Sequence, residues 1–172
     1  MIVKKTTKME EVAVQGVTSS KAEAKITICA VPDQPGIAAK IFAEISKTGS
    51  NVDIIVQNVS HTRHTDISFT VSKTNLTKVL NAAKMIASRI KAGEVLCDDN
   101  IARISIVGSG MRSHHGIAAA MFKSLAKNRI NIDMISTSEI SISCIISYSQ
   151  VNKAVRALHK EFGLETRNSY AP

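Results

Sequence analysis

Residues 36–53, Gly-Ile-Ala-Ala-Lys-Ile-Phe-Ala-Glu-Ile-Ser-Lys-Thr-Gly-Ser-Asn-Val-Asp, return 80 positions later as residues 116–133, Gly-Ile-Ala-Ala-Ala-Met-Phe-Lys-Ser-Leu-Ala-Lys-Asn-Arg-Ile-Asn-Ile-Asp. Identity falls at the Gly, Ile, both Ala, Phe, Lys, Asn and final Asp. The preceding stretches Lys25-Ile-Thr-Ile and Arg103-Ile-Ser-Ile align at an offset of 78, so the second loop carries two extra residues. An internal repeat of this kind outranks any local motif in deciding a fold.

Each copy reads alike. Apolar–polar alternation over Ala24–Ala30 and Ala102–Val107 predicts half-buried strands. A loop then leads into a helix with Ile37, Ile41, Phe42 and Ile45 on one face, matched by Ile117, Met121, Phe122 and Leu125. Gly49 and Asn128 suit the left-handed residue that ends such helices. Strands follow over Val52–Val59 and Asp66–Val71, and over Ile132–Glu139 and Ile140–Ser147. Helices close each copy, Leu76–Ile90 and Val151–Phe162, and Glu94–Cys97 ends the first.

The order is β-α-β-β-α-β, a ferredoxin-like α+β arrangement used twice. The second copy runs short, because only Gly-Leu-Glu-Thr-Arg-Asn-Ser-Tyr-Ala-Pro follows Phe162. The strand-like Val12–Val17 is unassigned, so a strand over 11–18 is expected to complete the second sheet; the C-terminal tail is the alternative.

At 172 residues the chain is one ordinary domain or two small ones. Hydrophobic residues at 44% and charged residues at 21% describe a globular chain rather than a disordered one. Apolar runs fall far short of the ~18 residues of a membrane span, and Met1–Met9 has no apolar stretch behind its lysines, so no secretory signal is predicted. The expectation is a soluble, cytoplasmic protein that does not engage membranes.

Cys29, Cys97 and Cys144 are too few and too scattered for a disulfide framework or zinc site, and each sits beside aliphatic residues as a small buried hydrophobe would. The net charge of +8 raises the question of nucleic acid. Lys4, Lys5 and Lys8 lie in the tail, however, while Lys40, Lys47, Lys78, Lys84 and Lys91 are spread along helices as on solvated faces. Aromatics at 3% are too few to stack single strands. No nucleic-acid partner is expected.

The first loop, Val31-Pro-Asp-Gln-Pro-Gly-Ile37, places Pro35 and Gly36 at a helix start. Amides of Gly36, Ile37 and Ala38, with the positive end of the helix dipole, would receive a carboxylate. Asp33 could pair with an ammonium, so the loop suits a zwitterionic amino acid; Asp33 could equally cap the helix. The second loop carries Ser113 where the first has Asp33, adds Arg112, and has His115 at the helix start. Neither loop carries a nucleotide-binding glycine pattern. His61, His64, His114 and His115 lack the spacing of metal ligands, and no nucleophile–base constellation assembles. No catalytic residue, metal or cofactor is expected. Gln57 and Asn58 end a strand, as ligand-facing or merely exposed amides.

Taken as an ordered set, Asp-Gln-Pro-Gly-Ile (33–37), Val-Gln-Asn-Val-Ser (56–60), Val107-Gly-Ser-Gly-Met-Arg-Ser-His-His-Gly116, Ile-Ser-Thr-Ser-Glu-Ile (135–140) and Ala-Leu-His (157–159) give a resemblance. The chain, from about Met9 to Phe162, resembles the regulatory half of the aspartate kinase family, where two ACT units follow a catalytic amino-acid-kinase domain. The resemblance implies a linker remnant over 1–10, a first ACT unit over 24–98 and a second over 101–164. It further implies feedback control by threonine or lysine bound between ACT units. Asp33, Gly36, Ile37, Ala38 and Gln57 would form one side of the effector pocket, with Asn131 and Ile132 closing it. Asn51, Met111, Ser113, Ser136, Thr137, Ser138 and Glu139 would line a second site or an interface. His115, where the family usually has Pro, is expected to loosen the second helix start. The expected partners are a second copy of the chain and a catalytic aspartate kinase chain or domain, without which it should not phosphorylate aspartate. The rivals are a stand-alone ACT sensor acting on another enzyme or a transcription factor, and a pair of RRM-like RNA-binding units. The second would need aromatics on its central strands, where only Phe69 and Tyr148 are candidates.

Overall fold

A computed structural model describes residues 14–58, 63–109, 111 and 115–164. The chain opens with β1 (Gly16–Ser20) and then builds the first unit without interruption. This runs β2 (Glu23–Pro32), α1 (Ile37–Ser46), β3 (Val52–Gln57), β4 (His64–Ser72), α2 (Leu76–Arg89) and β5 (Val95–Asp98). The second unit is β6 (Ile101–Val107), α3 (Ile117–Lys127), β7 (Met134–Thr137), β8 (Ser141–Ser147) and α4 (Val151–Glu161).

The two sheets are antiparallel and ordered β3-β4-β2-β5 and β7-β8-β6-β1. β1 therefore holds the place in the second sheet that β5 holds in the first, pairing Gly16 with Val107 through Ser20 with Arg103. The expected N-terminal strand is real but lies later than Val12–Val17; residues 1–13 and 165–172 are outside the described residues. Val14, just ahead of it, is buried in the second core.

Alternation decides what each sheet buries. In the first unit Ile26 and Ile28 of β2 with Ile67, Phe69 and Val71 of β4 face the helices, meeting Ile37, Ile41 and Ile45 of α1 and Val79, Ala83 and Ile86 of α2. Phe42 meets Phe69 edge to face, ring centroids 5.5 Å apart. Each buried Ile contributes on the order of 1.5–3 kcal/mol. In the second unit Ile104 and Ile106 pack with Met121, Leu125, Cys144 and Leu158. Cys144 matches the expectation of a buried thiol, Cys29 is half-buried and Cys97, on the edge strand β5, is exposed.

Both helices after the first loop end as repeats of one another. The left-handed residues are Gly49 (φ 68°) and Arg129 (φ 56°), which align at the 80-residue offset. Asn128 instead keeps negative φ and donates its side-chain amide to the Ser124 carbonyl at 2.9 Å.

The sheet faces turned away from the helices meet each other. Ile54, Ile101, Met134 and Ile145 form a separate buried cluster there, with Val56 against it. Ion pairs flank it in a reciprocal pattern. Lys25 Nζ lies 3.8 Å from Asp133 Oδ2, and Arg103 Nη1 lies 3.5 Å from Asp53 Oδ2. Lys25 aligns with Arg103 and Asp53 with Asp133 in the repeat, so the two units pack about a local pseudo-twofold axis, as two identical subunits would. Arg103 Nη2 also binds Glu23 Oε1 at 2.8 Å. Glu23 is only 5% exposed, and its second oxygen has no hydrogen-bond partner among the described residues. Burial pushes its carboxyl above the ordinary range, and the Arg103 charge opposes that only in part.

Candidate functional site

β2 ends irregularly. Its register with β4 shifts between Ile28 and Val31, Ala30 takes φ 48°, and the Ala30 amide donates to Asp66 Oδ1 at 2.9 Å. Gly93 packs against the same bend, donating to the Cys29 carbonyl at 2.8 Å; a Cβ there would come within 3.1 Å of that oxygen. Past the bulge the chain is tied once more, by the Asp33 amide to the Arg63 carbonyl at 2.9 Å, and the Thr65 hydroxyl donates to the Asn58 carbonyl. These bonds fix Asp33 beside Arg63, just ahead of β4, on the approach to α1.

Gly36 stands immediately before α1 with φ 86°, a value only glycine adopts without strain. The Ile37 amide is spent on the Gln34 carbonyl at 3.3 Å, and the Ile37 side chain is buried in the core. Among the described residues the amides of Gly36 and Ala38 have no backbone partner, and no side chain caps the helix. Asp33 is exposed. The expected alternative, Asp33 as the cap of α1, is therefore not the arrangement found. An exposed carboxylate beside two open amides at the positive end of a helix can receive an ammonium and a carboxylate of one small molecule.

Gln57 pairs with Ile67, whose side chain lies on the helix side of the first sheet, so Gln57 is on the α1 side as well. Ile132 lies elsewhere. With Val56, Asn58, Ser68, Asp133, Met134 and Ile135 it lines a cleft of about 350 Å3 on the opposite face, and Asn131 donates to Asp133 Oδ1 at 3.3 Å. Within one chain, then, Asp33, Gly36, Ile37 and Ala38 run on from the end of β2 into α1, and Gln57 ends β3 on the far side of β4. Ile132 packs against the core of the second unit while bordering the cleft, and Asn131 beside it is exposed.

Of the second group, Asn51 stands before β3, at the end remote from Gly36. Met111 packs against the second core. Ser136 pairs with Ser143, and Thr137 with Ile142. Ser138 closes the β7–β8 hairpin, its amide donating to the Ser141 carbonyl at 2.8 Å and its hydroxyl lying 2.8 Å from that of Ser141. Glu139 is exposed, and Ser113 lies outside the described residues. The start of α3 has the same geometry as that of α1: Gly116 has φ 92° and accepts from Ala120 at 2.9 Å. His115 in place of Pro35 leaves that backbone unchanged.

Local sequence assigns no role to Asp53, Asp133, Lys25 and Arg103, which the fold joins across the seam. The Asp is one of the repeat identities and a cation recurs on the first strand of each unit, but their pairing across units comes only with the fold. The RNA-binding rival fails on placement. Phe69 is fully buried against the helices, and Tyr148 lies outside the sheet between the ammonium groups of Lys21 and Lys73, 4.9 and 5.0 Å from its ring. Among the described residues no helix is long and apolar enough to cross a membrane.

A family model described as "ACT domain" matches residues 26–85 and 104–162. The chain is 49% identical over 157 residues to an aspartokinase of Pseudomonas aeruginosa, covering 91% of this chain and 38% of that protein. It resembles the ligand-free regulatory subunit of aspartate kinase from Thermus thermophilus at 39% identity and TM-score 0.83, over 87% of this chain and 99% of that one. A chain from a crystal structure of aspartokinase alpha and beta subunits matches at 40% identity and TM-score 0.82, over 88% and 99%.

Proposed function

The chain belongs to the aspartokinase family, as a regulatory region built of ACT domains, and we propose that it binds an end-product amino acid, threonine or lysine, to feedback-control a catalytic chain or domain that phosphorylates aspartate. The observation that carries the effector reading is the start of α1: an exposed Asp33 carboxylate three residues ahead of Gly36, with the amides of Gly36 and Ala38 lacking a backbone partner among the described residues. That arrangement complements both ends of a zwitterion and leaves the amino-acid side chain toward Gln57.

Asn131 and Ile132 close this pocket from a second copy of the chain. The edge strands β3 and β7 support such an assembly, since each pairs on one side only, with β4 and β8. They carry Ile55, 52% exposed, and Ile135, 44% exposed, at equivalent positions of the repeat. Unpaired edges with apolar side chains favour addition of another strand. A ligand touching two copies binds their docked arrangement better than the separated one, and only that difference shifts the population. A coupling of about 1–3 kcal/mol changes partner affinity roughly 5- to 150-fold.

Calorimetric titration of the chain with threonine and with lysine tests the reading. Asp33→Ala abolishes the heat of binding while circular dichroism stays unchanged, and sedimentation shows ligand strengthening self-association. Unchanged affinity in the variant rejects the pocket. Capture of an aspartate kinase catalytic chain separates this role from that of a stand-alone sensor.

A further inference from the structure

The outer face of the second unit holds a different feature. Between α3 and α4 lies a groove of about 670 Å3 lined by Lys127, Lys153, Arg156 and Lys160, with Ser124 at its floor and Glu161 at its rim. Lys153, Arg156 and Lys160 follow at i, i+3 and i+7 on one face of α4, a stripe roughly 10 Å long at ~1.5 Å per residue. Among the described residues none of these four cations has an acidic partner within ion-pair distance.

The first unit shows what the same groove looks like when it is neutralised from within. Glu44 occupies the place of Ser124 and binds Lys47 Nζ at 2.8 Å and Arg89 Nη1 at 3.4 Å. The hydrogen bond from Lys47 holds the Glu44 carboxyl below its ordinary range. Aligning the starts of α2 and α4, Leu76 with Val151, puts Asn81 and Met85 where α4 has Arg156 and Lys160. In the second unit the carboxylate is gone, the Ser124 hydroxyl donates to the Ala157 carbonyl at 3.3 Å, and two further cations face the space. One copy of the repeat contains its anion; in the other, four cations face a groove whose one lining carboxylate, Glu161, forms an ion pair with none of them among the described residues.

We propose that the α3–α4 groove is a binding site for a linked-phosphate anion, either the phosphate chain of a nucleotide or a free oligophosphate. An elongated row of cations suits a chain of phosphates better than one isolated phosphate, and the Arg156 fork can engage two phosphate oxygens at once. An acidic protein surface is the poorer fit. Protein interfaces centre on apolar anchors, and the exposed large hydrophobic residues, Ile55, Met85, Leu96, Ile135, Ile140 and Tyr148, all lie outside this groove. Nucleic acid is disfavoured because no aromatic lines the groove to stack a base.

The test titrates the full chain with inorganic tripolyphosphate, ATP, orthophosphate, an RNA oligonucleotide and poly-glutamate. Tripolyphosphate saturates at one site per chain, raises the thermal midpoint and weakens as salt screens the charges. Arg156→Asn with Lys160→Met, which copies the first unit, weakens it at least tenfold while the ligand-free midpoint is unchanged. ATP binding more tightly than tripolyphosphate supports the site with a nucleotide as its source, and equal affinity supports a free phosphate chain. Orthophosphate as tight as tripolyphosphate, tighter binding of RNA or poly-glutamate, no saturation, or an unaffected double variant each overturns the proposal.

Discussion

Replacing Arg103 by methionine removes the counter-ion of Glu23 across the seam between the units. The Glu23 carboxylate is 5% exposed, takes its charge-assisted bond from Arg103 at 2.8 Å, and has no other partner for its second oxygen among the described residues. Deleting one member of a buried pair leaves an uncompensated charge, and the group escapes by taking up a proton. That escape caps the penalty. Holding a proton at pH 7 on a carboxyl of ordinary pKa 4.5 costs about 3.4 kcal/mol at ~1.36 kcal/mol per unit. The parent chain already bears some of this, because its Glu23 carboxyl is raised, so the variant loses less than that ceiling of about 3.4 kcal/mol at pH 7. The pH dependence has a definite sign. Well below 4.5 both folded and unfolded chains carry the proton, and the Glu23 contribution to the loss vanishes. As pH rises through 4.5 the unfolded chain releases its proton first, and the loss grows toward neutrality. Urea unfolding of Arg103→Met and of Glu23→Gln/Arg103→Met, each at pH 4 and pH 7, measures this, and the double variant recovers most of the stability lost at pH 7. A double variant no more stable than the single one, or a loss equal at both pH values, would refute the assignment of a buried charge at the seam.

Gly36→Ala and Gly116→Ala each cost about 1–2 kcal/mol. Each added methyl meets open space, so the cost is left-handed backbone alone, and chemical denaturation giving unequal losses contradicts the equivalence of the two helix starts. The Cys144 thiol, fully buried and pushed up to about 12, reacts with a disulfide reagent only after unfolding, whereas exposed Cys97 reacts in the native chain. Equal rates for all thiols without denaturant would count against this packing. Ile55→Lys and Ile135→Lys place charge on the open edges of β3 and β7 and reduce self-association in sedimentation velocity without lowering the unfolding midpoint; an unchanged sedimentation profile excludes these edges as the contact.

Local periodicity carries most of the fold. Ile37, Ile41 and Ile45, and their counterparts Ile117, Met121 and Leu125, are buried as their spacing requires, because a 3.6-residue stripe fixes which face meets a sheet. The missing strand was legible by subtraction, since a sheet of this topology needs a fourth member. Its limits were not, because Gly16–Ser20 is a polar run whose strand character comes from pairing with β6. Cys97 looked like a core residue beside Val95 and Leu96, but an edge strand has no neighbour to cover it. The pocket residues divide in the same way. Asp33 to Ala38 are contiguous, so their grouping follows from the chain, whereas Asn131 and Ile132 are far away in sequence and belong to the second unit, Ile132 packed against its core. Charge was the least legible property, because +8 spread along a sequence does not reveal that four cations share one groove.

The position of β1 sets a timetable for biosynthesis. It leaves the ribosome ahead of the first unit, yet its partner β6 follows only after the whole of Glu23–Asp98 has been made, a delay of about 4–15 seconds at ~5–20 residues per second. The first unit can finish condensing during that interval, while the second must wait for β1 and the stretch from β6 to α4 to be present together. A waiting segment that reads Gly-Val-Thr-Ser-Ser offers little for stray chains to grip. The non-local closure makes docking of this strand the slow, late event in maturation.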